Sequence, residues 1–260
     1  MNPSAQSPIS VCIIAGNEAG RIRRALESVS GWTREIILVV NADVSDGTEK
    51  IAESYGAKVF HETWKGHIAQ KNSAAAKASQ PWLLGLDADE EIPAGLRDEI
   101  IRATAAPGDS TAFCFPRCTR FCGRWIRHGD WYPDRQTRLW RKGTAHWGGV
   151  DPHDKLIVSG PVGKLLADLR HHNAETIDRQ IAKISSYSED FLRDANLRHR
   201  SCRGVDLAFR PLWRLVRSYL LRLGFLDGWQ GLYIAWMTAF YTATRYAKIR
   251  AAQEQSAGKA

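Results

Sequence analysis

Short apolar runs alternate with amphipathic stretches through the first part of the chain. Ile9–Ala15 is mostly apolar and stops before Gly16, which predicts a buried strand. Residues 18–30 place Ile22, Leu26 and Val29 at helical spacing. Glu35–Val40 predicts a second strand. Asp46 and Glu49 stand at capping-box spacing and predict a helix running to Tyr55. Lys58–Phe60 is a brief third strand, and the Ala-rich residues 67–79 are helix-prone. Pro81–Leu86 predicts a fourth strand, and a helix opens near Pro93. Strands alternating with helices imply a parallel α/β sheet with helices on both faces.

The pattern changes toward the C-terminus. Residues 205–224 repeat Ala208, Leu212, Leu215, Tyr219 and Leu223 at helical spacing beside Arg203, Arg210, Arg214, Arg217 and Arg222. A basic amphipathic helix of this kind suits a membrane interface. Leu232–Ala243 is apolar but short, set off by Gly224, Gly228 and Gly231. It is a candidate for re-entry into a membrane surface, for packing on the core, or for an oligomer contact. No apolar run reaches the about 18–20 residues that a spanning helix needs, and the N-terminal MNPSAQSPIS does not read as a secretory signal.

Composition narrows the class. The chain has 260 residues, 44% hydrophobic and 25% charged, which excludes a wholly disordered chain and a small disulfide scaffold. The net charge of +8 sits in the second half: residues 1–110 carry 11 Lys and Arg against 15 Asp and Glu, and residues 111–260 carry 25 against 13. A basic, Trp-rich half suggests a polyanionic partner. The five cysteines include Cys114, Cys118 and Cys122, whose spacing matches no usual zinc pair; they read as unbridged structural residues.

In open α/β sheets ligands bind beyond the carboxyl ends of the strands. Polar clusters stand at three such ends: Asn17-Glu18, Asn41-Ala-Asp43 and Asp87-Ala-Asp89. One cluster alone would be a polar loop; three together imply a shared site. No GxGxxG follows the first strand and no GxxxxGK[ST] occurs, which argues against a dinucleotide oxidoreductase and a P-loop NTPase. Asp87 and Asp89, taken as extended chain, would point to one side and offer oxygens to Mg²⁺ or Mn²⁺. Such a cation suits a reaction that expels a nucleoside diphosphate, because it neutralises charge on the leaving phosphate.

Ile13-Ile-Ala-Gly-Asn-Glu18, Asn41-Ala-Asp-Val-Ser-Asp-Gly-Thr48, Gln70-Lys-Asn72 and Leu86-Asp-Ala-Asp-Glu90 resemble successive motifs of the family 2 inverting glycosyltransferases. Pro116-Arg117, Gly123-Arg-Trp-Ile-Arg-His-Gly-Asp-Trp-Tyr-Pro-Asp134 and Arg138-Leu-Trp-Arg141 resemble the lipopolysaccharide core β-glucosyltransferase subgroup. The resemblance implies a GT-A fold: a Rossmann-like mixed sheet flanked by helices, with a C-terminal helical extension. Residues 1–175 would form the glycosyltransferase domain, with a nucleotide half at 9–110 and an acceptor half at 111–175; residues 176–260 would form a basic, membrane-associating helical extension.

The same resemblance implies roles. Asn17 and Glu18 would hold the nucleoside, and Asn41 would meet the base where the family commonly has Asp. Lys71 would lie near the ribose or phosphates, Asp87 would face the ribose or metal, and Asp89 would bind Mg²⁺ or Mn²⁺. Arg138 is the candidate diphosphate contact, and Arg117, Asp130 and Trp131 are the acceptor-binding candidates. An inverting transfer needs a carboxylate to take the acceptor proton. Asp154 is the first candidate, where the subgroup usually has Glu, with Asp151 as the rival and His153 as a third metal ligand or an orienting group. His171-His172 reads as a structural pair.

The expected donor is a UDP-sugar, and the expected acceptor a lipid-anchored phosphorylated glycan such as the lipopolysaccharide inner core. A polyprenyl-phosphate acceptor is the close variant, and a non-catalytic binding protein on the same scaffold the rival class. The protein is expected to be cytoplasmic, peripheral at the inner face of the inner membrane on anionic lipid, able to form a homo-oligomer, and without a nucleic-acid partner.

Overall fold

The computed structural model describes residues 6–150, 153–197 and 202–257. The chain forms two compact units, Met1–Arg117 with Asp134–His172, and Cys118–Pro133 with Asn173–Ala260.

The first unit begins as the hydrophobic pattern predicts. Strand β1 (Ser7–Ala15), helix α1 (Ile22–Val29), β2 (Thr33–Asn41), α2 (Thr48–Ser54), β3 (Lys58–Glu62), α3 (His67–Lys77) and β4 (Trp82–Gly85) follow in order. The short β5 (Glu90–Glu91) precedes α4 (Ala94–Ala105). Then come β6 (Ala112–Phe121), β7 (Arg124–Trp125), β8 (Asp134–Arg141), β9 (Ala145–Val150), β10 (His153–Val158), β11 (Val162–Lys164) and β12 (Leu169–Glu175). The main sheet has the order β3-β2-β1-β4-β8-β6-β12-β5, while β9 and β10 pair separately as a hairpin.

The parallel sheet expected from the alternation accounts for β3, β2, β1 and β4, and β11 adds a short parallel pairing to β6. Strands β8 and β6 extend it antiparallel, so the sheet is mixed. Strands β1 and β2 are apolar at nearly every position because both sheet faces are covered. Val11, Ile13, Leu38, Val40 and Leu84 pack on one face with Ile22, Leu26, Leu96 and Ile100. Cys12, Ile37, Val39 and Leu83 pack on the other with Ala74, Trp140 and Trp147. This is the two-residue alternation of a strand buried on both sides.

Two local expectations change. Helix α2 is capped by Gly47 at φ 86 rather than by a capping box; Asp46 Oδ1 instead accepts from Thr48 N, and its Oδ2 accepts from Ala19 N. Strand β4 ends at Gly85, and Ala88 and Asp89 lie in a turn closed by Glu90 N donating to Asp87 O at 3.0 Å. Asp87 and Asp89 therefore do not share a side as an extended pair would. The cysteines are unbridged, as expected.

The second unit contains the 3-10 turn Gly129–Trp131 and helices α5 (Ile177–Leu197), α6 (Gly204–Val216) and α7 (Gly228–Ala257). The single helix expected over 205–224 is α6, carrying Pro211, followed by a π-helical turn at Arg217–Leu221. A 3-10 turn at Gly224–Asp227 leads into α7 after Leu223 takes a left-handed φ of 57°. Gly231 does not break the chain. It sits inside α7 and lets Gly224 approach, since a Cβ there would stand 1.9 Å from Gly224 O.

Candidate functional site

The polar ends of β1, β2 and β4 are built from the loops that follow them. Asn17 Oδ1 accepts from Ser45 N at 3.0 Å, and Glu18 N donates to Thr48 Oγ1 at 2.8 Å. Glu18 also pairs with Arg21 at 2.6 Å. The loops after β1 and β2 thus hold each other. Asn41, the last residue of β2, buries its Oδ1 with no hydrogen-bond partner. A buried amide oxygen without a donor is costly, and a ligand N–H would satisfy it.

Asp87 stands at the centre of a charge network. Its carboxylate accepts from Arg138 Nη2 at 2.7 Å and pairs with Lys71 Nζ at 3.0 Å. Lys71 Nζ donates to Asp154 Oδ2 at 2.9 Å and lies 4.7 Å from the centre of the Trp147 ring. Helix α3 supplies Lys71, β8 supplies Arg138 and the β9–β10 hairpin supplies Asp154 and Trp147. Burial alone would raise the Asp87 carboxyl, but the Arg138 and Lys71 charges override it and hold it well below the usual carboxylate range. Burial opposes ionisation of Arg138 too, and Asp87 and Glu90 reverse that and raise its pKa.

Glu90, which closes the Leu86–Glu90 motif, anchors the turn. It is fully buried, accepts from Asp87 N at 3.0 Å, and faces Arg117 at 3.5 Å and Arg138 at 3.6 Å. Arg117 also pairs with Asp134 at 2.7 Å. Arg138 is buried over Trp147, and its Nε and Nη1 have no hydrogen-bond partner. Those donors suit an anion.

Asp89 faces elsewhere. Its Oδ2 lies 3.5 Å from His171 Nε2, and His172 N donates to Asp89 O at 2.8 Å. The antiparallel pairing of β12 with β5 sets this register. Burial would raise the Asp89 carboxyl, and the hydrogen bond and charge of His171 bring it below its ordinary value. His172 turns to Glu91 at 2.5 Å. Strand alternation, which sends adjacent side chains to opposite faces, is the signal that separates the two histidines.

The donor set fits a divalent cation. Asp89 and His171 provide an oxygen and a nitrogen, and Mn²⁺ or Mg²⁺ bound there would keep positions for water and phosphate oxygens. Asp87, Glu90, Asp134 and Asp154 face Lys71, Arg117 and Arg138, which leaves one carboxylate in excess for a divalent cation to balance. Among the described residues, no set of three His, Cys, Asp or Glu side chains converges on one point. Asp151 and the side chain of His153 lie outside the described residues. Asp154 lines a cavity of about 460 Å³ with Asp134, Arg135, Gln136, Thr137 and Trp147.

Site residues from the sequence thus separate. Lys71, Asp87, Arg138, Asp154 and Arg117 join one network, and Asp89 meets His171. Asp130 and Trp131 belong to the second unit, where Asp130 pairs with Arg217 at 2.7 Å, Arg214 at 3.2 Å and Arg222 at 3.5 Å. Trp131 stands edge-on to Phe121.

Comparison with known proteins identifies the family. Residues 10–164 match the model of the family described as glycosyl transferase family 2. An uncharacterized glycosyltransferase of Rickettsia bellii (strain RML369-C) is 29% identical, over 93% of this chain and 86% of that one. The lipopolysaccharide core biosynthesis glycosyltransferase LpsC of Rhizobium meliloti (strain 1021) is 26% identical, over 92% of this chain and 93% of that one. The fold is similar to that of the mannosyltransferase PcManGT from Pyrobaculum calidifontis, solved with GDP-Man and Mn²⁺. The TM-score is 0.57 at 14% identity, covering 95% of this chain and 88% of that one.

Proposed function

This chain belongs to glycosyl transferase family 2, and on that premise we propose that it is an inverting enzyme that moves a sugar from a nucleotide sugar to a lipid-anchored acidic glycan. Our reading of the donor is UDP-glucose, and of the acceptor the inner core of lipopolysaccharide. The single observation that carries the reading is Lys71, held between Asp87 and Asp154. One cation there touches both the donor side and the candidate base.

Each residue has a task in this scheme. Asn41 offers its unpartnered amide oxygen to a base N–H; its amide nitrogen can give a second bond to a neighbouring carbonyl, which matches the imide edge of uracil. Arg138 directs its unpartnered Nε and Nη1 at the diphosphate, and Asp87 keeps the guanidinium in place. Lys71 exchanges Asp154 for the stronger anion when the diphosphate binds, which frees the Asp154 carboxylate. Asp154 then accepts the proton of the acceptor hydroxyl as that oxygen attacks the anomeric carbon and the bond to the diphosphate breaks. Asp89 and His171 would hold Mg²⁺ or Mn²⁺, which supplies charge neutralisation at the leaving diphosphate. The resemblance to LpsC supports the acceptor class.

The Asp154→Asn variant tests the assignment of the base. Turnover is expected to fall by at least about 100-fold, because a general base contributes that much or more, while titrated donor affinity stays within about twofold. Full turnover in the variant would overturn the assignment.

A further inference from the structure

The second unit holds the whole net charge of the chain. It carries 17 Lys and Arg against 9 Asp and Glu, whereas the first unit carries 19 of each. Its helices also leave apolar side chains in water. Helix α6 has no buried residue, and Val205, Phe209, Leu212 and Trp213 are exposed along one helical face. On α7, Trp229, Leu232, Trp236 and Phe240 recur at three- and four-residue steps and are exposed, Trp236 by 58%. The other side of α7 is buried through Ala235, Ala239 and Thr242. The turns that join the helices expose Leu221, Leu223, Phe225 and Leu226. Apolar surface on this scale marks a docking face rather than ordinary surface.

A cleft of about 260 Å³ opens on the same helices, lined by Phe209, Arg210, Trp213, Arg214, Thr242 and Arg245, with Asp206. Arg245 is held over Phe191 at 4.6 Å and Tyr241 at 5.3 Å. The Nε atoms of Arg214 and Arg245 are both buried without a hydrogen-bond partner. Burial pulls the Arg214 guanidinium below its ordinary value; Asp130 opposes this, and Arg217, Arg245 and Arg222 add to it. Two guanidinium donors without partners, in a cleft flanked by exposed aromatics, describe a receptor for a phosphate attached to an apolar body.

We propose that the α6 face of the second unit docks on an anionic bilayer, with a lipid phosphate in the Arg214–Arg245 cleft and Phe209, Leu212 and Trp213 in the headgroup region. Charge selects this occupant over a second copy of the chain, which would bring a net +8 against the same +8. The helices lie on the surface, since among the described residues no helix is long and apolar enough to cross a membrane. Basic groups near an anionic surface add attraction, and the apolar stripe of α6 adds burial. The inference rests on the proposed function only for its purpose, access to a lipid-anchored acceptor; the binding itself is measured without transfer.

Co-sedimentation of the full chain with vesicles tests it. Binding to vesicles of phosphatidylglycerol and phosphatidylethanolamine is expected, with little binding to phosphatidylcholine vesicles and loss of binding in high salt. The double variant Phe209→Ser, Trp213→Ser, both at exposed positions beside the cleft, is expected to weaken binding by at least about tenfold. Arg245→Gln is expected to reduce the preference for the anionic lipid. Transfer to a water-soluble acceptor should persist in the double variant, so a failed docking face and a failed catalytic reading give different results. Absence of wild-type binding to anionic vesicles would overturn the proposal, since that measurement needs no variant. So would equal binding by the double variant, or full competition by free inorganic phosphate. A stable homodimer that this variant dissolves, without vesicle binding, would assign the face to a second copy instead.

Discussion

Asp87 and Asp89 differ by one intervening residue, yet their surroundings give them different work. Asp87 is clamped by Arg138 and Lys71, whereas Asp89 faces His171. The two carboxylates were legible in the sequence because their chemistry is conspicuous after an apolar run. Their division of labour was not, because it depends on the turn at Ala88 and on the register of β12 against β5. His171 was hidden for the same reason: an adjacent pair that could not share one helical face read as structural, whereas strand β12 turns His171 to Asp89 and His172 to Glu91. Replacing His171 with Ala is expected to raise the Mn²⁺ concentration for half-maximal nucleotide binding by about tenfold, the scale of a lost metal partner. An unchanged Mn²⁺ titration would remove His171 from the site.

At the scale of elements, β4 and the β9–β10 hairpin determine how the site is lined. A Cβ on Gly85 would stand 2.9 Å from Trp147 Cζ2, and that ring is itself buried against Trp140. Gly85→Ala is therefore expected to cost about 1–3 kcal/mol by overpacking and to lower the melting temperature. It should also weaken donor binding, because Lys71 and Arg138 both rest on the Trp147 ring. Donor affinity equal to wild type would show that the ring position does not matter.

Glu35 ties β2 to its neighbours. It accepts from Ser10 Oγ, from Ser79 N at 2.8 Å and from Lys58 Nζ at 2.8 Å. Burial would raise its carboxyl, and these bonds bring it from 4.5 down to about 2. A carboxyl depressed on folding stabilises the folded state above its unfolded value. That contribution is lost as the pH falls from about 4.5 toward about 2. Glu35→Gln is expected to flatten the acid limb of the stability curve in that window; an unchanged limb would assign the acid sensitivity elsewhere. Strands β1, β2 and β4 were readable because burial on both faces makes them nearly uniformly apolar. Strands β6 and β8 were not, since Arg117, Arg135 and Arg138 interrupt their apolar pattern. Gly224 and Gly228 marked the break before α7, where Leu223 and Gly224 turn the chain, whereas the π-helical turn at Arg217–Leu221 that ends α6 carries no local signal.

Across the whole molecule, composition foretold a basic second half, and the structure refines that asymmetry to a neutral unit bearing the candidate catalytic network and a unit with all of the net charge. The segment 118–133 joins the C-terminal helices rather than the chain around it, which no sequence window of ordinary length reveals. The matched family span ends at residue 164, before His171 and before every C-terminal helix. The central claim is that Asp89, Lys71 and Arg138 form a metal-supported nucleotide site. Calorimetric titration of UDP, then GDP, into the protein with Mn²⁺ and with a chelator tests this most directly. The account predicts binding of UDP that requires the metal and is lost in Asp89→Ala. No nucleotide binding under any metal condition, or binding unaffected by the chelator and by Asp89→Ala, would contradict it.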